Sequence, residues 1–269
     1  MKRQLLGGLA ALVVFAAVGG AVVAWLPSDA KRTSAAGAPV GSPSSQRTTG
    51  SPEPEPDQKT GSGSGSGAEE TGAPTSPSTT PLPQTGPGTF VVAPGGSGPV
   101  GKGTPLRYRV EVEKGITLSP ADVASQVERT LADPRGWTAD GHSAFQRVSD
   151  GPTDFVVRLA TPATVDKKCA EGGLDTGGTV NCSVNRNVMV NLRRWVLATE
   201  FYREDVVGYR SLIINHEVGH FLGHGHVTCP GQGQPAPAMM QQIKGLLGCV
   251  PNVWPYDSDG RPLTGPPAP

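Results

Sequence analysis

Eleven residues constrain this chain more than any others: His216-Glu217-Val218-Gly219-His220-Phe221-Leu222-Gly223-His224-Gly225-His226. Histidines four apart share one face of a helix, so His216 and His220 can reach the same metal ion. Glu217 follows the first of them and is placed as general base toward a water on that metal. Gly223 can take a positive φ and so ends the helix. The chain then turns and brings back His226 as a third ligand. Three His ligands leave a fourth position open, the pattern of a catalytic rather than a structural zinc site. One Zn2+ per chain is the expected cofactor. Four of the five histidines in the chain lie in this run. His224 is expected to face solvent or to stand behind the ligands, and His142, beside Asp140, to lie on the surface.

What surrounds the run is set by composition. Between Pro27 and Pro87, 40 of 61 residues are Pro, Gly, Ser or Thr and none is aromatic. Such a stretch buries too little apolar surface to offset its ordering entropy, so residues 27–87 read as a disordered linker. Leu82-Pro83-Gln84-Thr85-Gly86 matches a sortase LPxTG pattern, but a folded domain follows it instead of an apolar stretch and basic tail, so it reads as a chance match. One domain remains, residues 88–256, followed by a polar, Pro-rich segment, 257–269, expected to be disordered. Lys plus Arg and Asp plus Glu each number 23, which gives no electrostatic case for nucleic acid.

Lys2 and Arg3 precede an uncharged, mostly apolar run from Leu5 to Leu26. At about 1.5 Å per residue it reaches roughly 33 Å, enough to span a bilayer core of about 30 Å. Residues 1–4 then read as cytoplasmic and 5–26 as a single-pass anchor, with the folded domain outside the cell membrane. The alternative is a cleaved signal ending near Val22-Val23-Ala24, which makes the chain secreted. Four cysteines, Cys169, Cys182, Cys229 and Cys249, all fall in the folded part and none forms a CxxC pair. An even count behind an export segment reads as two disulfides. Three connectivities are possible, and the sequence-local one is expected: Cys169–Cys182 with Cys229–Cys249.

Within the domain, Leu106, Tyr108, Val110 and Val112 alternate with Arg107, Arg109, Glu111 and Glu113, which predicts a half-buried strand. Ser119 and Pro120 open a helix with Val123, Val127 and Leu131 on its apolar face, and Asp133-Pro134 stops it. Strands are predicted at Ala144–Val148, Asp154–Ala160 and Asn187–Arg193, and a second helix from about Asp205 to Leu222. The fold class is α+β: one twisted mixed sheet packed on two main helices, with the histidine run on the second.

HExxHxxGxxH is the extended consensus of the metzincin clan of zinc metalloproteases, and the chain resembles that clan. It resembles more closely a family of actinobacterial membrane-anchored proteins that carry a metzincin-like domain of unknown function. The similarity covers roughly Gly86 to Pro255. It includes Gly88-Thr89-Phe90, the histidine run, Cys229-Pro230, Pro235-Ala236-Pro237 and Pro251-Asn252-Val253-Trp254-Pro255. The resemblance implies a zincin fold and a methionine turn beneath the zinc, at Met239, with Met240 replacing a polar residue. No cysteine precedes the domain, which excludes a cysteine-switch latency device. Tyr256 is a candidate oxyanion donor that reads better as part of a frayed end. The expected function is a membrane-tethered zinc endopeptidase, monomeric, acting on peptides or proteins of the cell envelope. Two other readings stay open: a non-catalytic zinc-containing scaffolding domain, and a hydrolase of cell-wall stem peptides. The strand Asn187–Arg193, shortly before the zinc helix, is expected to be the edge to which a substrate adds.

Overall fold

A computed structural model of the chain describes residues 81–269. The first strand to organise the domain is β3 (Leu106–Glu113), which has neighbours on both sides. On one side β5 (Phe155–Ala160) runs parallel to it along Tyr108–Val112. On the other, β4 (Ala144–Arg147) pairs parallel with its first half, and β1 (Phe90–Val92) pairs antiparallel with its second. β2 (Val100–Gly101) lies outside β4, β7 (Asn187–Asn191) outside β5, and β6 (Cys182–Val184) closes the far edge antiparallel to β7. The result is a mixed seven-stranded sheet of an α+β domain.

This central position changes the reading of β3. Tyr108, Val110 and Val112 are buried as expected and Leu106 partly so, but Glu111 and Glu113, taken as the solvent face, are 6% and 1% exposed. Glu111 receives Arg109 Nε at 2.9 Å and Arg158 Nε at 2.7 Å. Glu113 accepts the N–H groups of Gly88 and Thr161 and the hydroxyl of Thr164 at 2.6–2.8 Å. Buried carboxylates are tolerated because every one of these partners is a positioned donor.

Four α-helices cover the sheet: α1 (Pro120–Ala132), α2 (Pro162–Ala170), α3 (Leu192–Leu197) and α4 (Val206–Phe221). α1 and α4 are the two long ones and pack on the main core, where Val123, Val127 and Leu131 meet Leu212, Ile213 and Ile214. Ser119 caps α1 and Asp205 caps α4, each side-chain oxygen accepting a first-turn N–H. The histidine run therefore sits on the second of the two long helices, which is the fourth α-helix among the described residues. α2 and α3 escape prediction because nine and six residues carry too little periodic pattern. The alternation of Asn187–Arg193 stops at Asn191, which turns from strand residue to cap of α3, accepting the Arg193 N–H.

Three further expectations need correction. β7 is paired on both sides, by β5 and β6, so the strand Asn187–Arg193 is internal and offers no free edge. Residues 257–269 are not a loose tail. Asp257 closes a turn by accepting the Arg261 N–H and guanidinium at 2.9 Å, and the chain then runs back beside Thr228. The single-pass membrane placement is corrected as well. No helix among the described residues is long and apolar enough to cross a membrane. The longest, α4 with 16 residues, reaches about 24 Å against a bilayer core of about 30 Å. The expected anchor, residues 5–26, lies outside the described residues, as do residues 1–4 and most of the expected linker.

Candidate metal centre

α4 brings His216 and His220 to one face, as their spacing requires, and then ends in a Schellman turn. Gly223 has φ +93°, its N–H donates to His220 O at 3.0 Å, and the His224 N–H donates to Gly219 O at 2.9 Å. The reversal returns His226 to the same point. The three Nε2 atoms lie 3.2, 3.2 and 3.0 Å from one another. Protonated donors do not crowd in this way; three lone pairs aimed at one cation do. A tetrahedral zinc with bonds of about 2.0–2.1 Å needs ligand atoms about 3.3 Å apart, so the donor set fits such an ion. Three imidazoles with no thiolate or carboxylate also suit zinc's borderline character.

The tautomers are fixed from behind. His216 Nδ1 lies 2.8 Å from Ala238 O, and His220 Nδ1 lies 2.9 Å from His224 O. A carbonyl can only accept, so each Nδ1 carries the proton and each Nε2 is free to ligate. Burial, then the neighbouring His220, pushes His216 down to about 3. Burial lowers His220 and His226 too, joined for His220 by its neighbour His224 and for His226 by His220 and Lys244. All three rings are therefore held neutral, the form that binds a metal. Glu217 is 5% exposed, and burial pushes its carboxyl up to about 8 in the metal-free site.

The ligands open into a cleft of about 400 Å³. Its floor is α4, with Tyr209, Leu212 and Ile213 beside His216, Glu217 and His220. One wall is Leu174–Thr176 and Val180–Cys182, in the loop that the Cys169–Cys182 disulfide closes, with Ser183 just beyond it. The other is Met240–Ile243, in the loop that Cys229–Cys249 closes. Both sequence-local disulfides are present, and among the described residues no cysteine is free. The edge strand that lines the cleft is β6, through Cys182 and Ser183. A three-residue strand has too little pattern to be read from sequence, whereas the longer alternation of β7 is legible.

Met239 and Met240 separate cleanly. Met239 is 6% exposed and packs under α4, where a Cβ added at Gly219 would lie 2.3 Å from its Sδ and 2.6 Å from the Trp137 ring. Met240 faces the cleft and joins Ala236 and Cys249 in a small cluster. Gly219 is thus required for close approach, not for its φ. Trp137, which sequence reasoning passed over, supports the centre from outside: its Nε1–H donates to Asn215 O at 2.9 Å, and its ring stacks on His224 at 4.3 Å. His224 is exposed and acts through its backbone carbonyl. Tyr256 meets Trp137 edge-on at 6.4 Å and does not line the cleft. His142 is exposed in its loop, its N–H donating to Asp140.

Residues 76–256 match a family described as "Protein of unknown function (DUF3152)". No curated protein and no solved structure matches the chain.

Proposed function

Because the chain belongs to this family, whose description assigns no chemistry, we propose the function its metal centre supports best: a zinc-dependent endopeptidase of metzincin type. The observation that carries the reading is the meeting of three Nε2 atoms within 3.2 Å at the foot of an open cleft that Glu217 also lines. His216, His220 and His226 hold the ion, and Met239 lies beneath the helix that bears two of them. When bound, zinc supplies a Lewis acid at the scissile carbonyl. Glu217 accepts the proton of the attacking water and passes it to the leaving amine. Its hydrogen-bonding capacity is reserved for that exchange, since no protein donor engages its carboxylate among the described residues. The substrate backbone adds along the free edge of β6, and its side chain enters between Leu212, Ile213 and Ile243.

The three-residue length of β6 favours a second reading within the same chemistry, hydrolysis of short peptides such as cell-wall stems. Digestion of an unbiased peptide library by the zinc-loaded chain, followed by mass spectrometry, tests the proposal. Cleavage is expected, with Glu217→Gln slower by at least about 100-fold at unchanged zinc content. A chain that binds zinc stoichiometrically yet cleaves neither the library nor stem peptides is a scaffolding domain.

A further inference from the structure

The three ligands are not equally supported. His216 and His220 each have an Nδ1 proton bonded to a carbonyl. Among the described residues, no such bond orients the His226 ring. Its placement depends on its backbone, and that backbone is bridged on both sides at Val227. On one side the Val227 N–H donates to Met239 O at 3.3 Å. On the other, the Thr228 N–H donates to Pro266 O at 2.8 Å, and the Ala268 N–H donates to His226 O at 3.0 Å. Val227 bridges to Met240 and to Pro267 at once. Gly265 lets the outer strand approach: a Cβ there would lie 2.0 Å from Thr228 O.

We infer that residues 265–268 are positioning residues of the metal centre, completing the site by fixing His226. The segment lies beyond residue 256, where the family match ends. Two bonds to consecutive peptide units set both the position and the twist of His226–Thr228, and the imidazole follows. The segment is brought there by the turn that Asp257 and Arg261 close and by the Leu263 N–H, which donates to Pro255 O at 2.8 Å. It lies outside both disulfide loops, and it is held to His226 and Thr228 by those two backbone hydrogen bonds and by the Thr228 hydroxyl, which donates to Pro266 O at 3.4 Å. It can therefore be removed without cutting either crosslink.

The inference rests on the three-His reading of the metal and not on peptidase activity. The test compares the intact chain, a deletion of residues 264–269, and Gly265→Val, each alone and with His226→Ala. Zinc affinity is measured by chelator competition, and circular dichroism checks the fold. Loss of backbone support for one ligand should weaken zinc binding by roughly 10- to 100-fold, the range for lost outer support of a metal ligand. In the His226→Ala background the deletion should have no further effect, because the ligand it positions is gone. Gly265→Val should give a smaller loss in the same direction. An affinity within about threefold of the intact chain, or an equal loss with and without His226, overturns the inference and leaves the metal reading standing. Failure of the intact chain to bind zinc overturns both.

Discussion

Two disulfide-closed loops face each other across the cleft, and they do different work with the same crosslink. The Cys169–Cys182 bond spans 13 residues and ties α2 to β6 within a small core of Ala160, Val165, Val184 and Met189. Its loop supplies a wall and, among the described residues, makes no hydrogen bond to His216, His220 or His226. The Cys229–Cys249 bond spans 20 residues and begins three residues after His226. Its loop carries Ala238, whose carbonyl sets the His216 tautomer, and Met239, which fills the space under Gly219. Gln242, at its centre and 2% exposed, bonds Tyr202 Oη, Pro237 O and Asn252 O. One loop shapes what enters the cleft, while the other holds what sits at its base. A disulfide's entropic contribution depends on loop length, but its functional consequence depends on which side chains the loop carries.

The sharpest test of that contrast is metal affinity. Cys229→Ser/Cys249→Ser should lose about 10- to 100-fold in zinc affinity, and Cys169→Ser/Cys182→Ser less than about threefold. Chelator competition at a temperature where both variants are folded decides it, and equal affinities would break the comparison. The reverse asymmetry should appear with peptide. If the first loop shapes the substrate site, its double variant should raise KM several-fold at nearly constant kcat, whereas the second should lower kcat through lost metal. Steady-state assays at saturating zinc read both.

A pH titration of the metal-free protein separates the loops more finely. His216 falls from an unfolded value near 6.5 to about 3, so the unfolded chain binds more protons between those limits. Its share of stability is present above 6.5 and is lost as pH falls toward 3. Glu217, raised from 4.5 to about 8, works the other way, losing its share as pH rises from 4.5 to 8. In Glu217→Gln, urea midpoints should therefore rise with pH from 3 to 6.5. Adding Cys229→Ser/Cys249→Ser, which lets water reach His216, should flatten that slope, and adding the other pair should not. The smallest difference is in stability itself. Loops of 13 and 20 residues are each worth about 3 kcal/mol by chain entropy and differ by only about 0.4 kcal/mol. A calorimetric gap of several kcal/mol would mean that native contacts, not loop length, separate the two.

The sequence was most legible where chemistry fixes spacing. His216, Glu217, His220 and His226 converge because a helix turn and one glycine leave little choice, and both disulfides join neighbours in sequence. It was less legible where a pattern has two meanings. Alternation in Asn187–Arg193 describes a strand but not its neighbours, so an internal strand passed for an edge. Glu111 and Glu113 read as a wet face because charge usually marks one, and only the donors of Gly88, Thr161, Thr164, Arg109 and Arg158 explain their burial. The least legible part was residues 262–268. Proline-rich extended chain has no period, and nothing local distinguishes a segment that pairs with Thr228 from one that does not.

The attachment of the first described residues to the sheet has a mechanical consequence. The Ala163 N–H, at the start of α2, donates to Gln84 O at 3.1 Å, and the Gly88 N–H is held by Glu113. Tension applied through the chain ahead of Gln84 arrives at these two bonds before it reaches any strand pair. The Glu113 branch ends in the middle of the sheet, which is stiff. The α2 branch runs down the helix to Cys169 and across the disulfide to Cys182, on the strand that borders the cleft. A pull on the N-terminal side is therefore transmitted to the cleft wall that β6 borders, while the opposite wall, Met240–Ile243, whose disulfide joins two ends of its own loop, lies off the line of force.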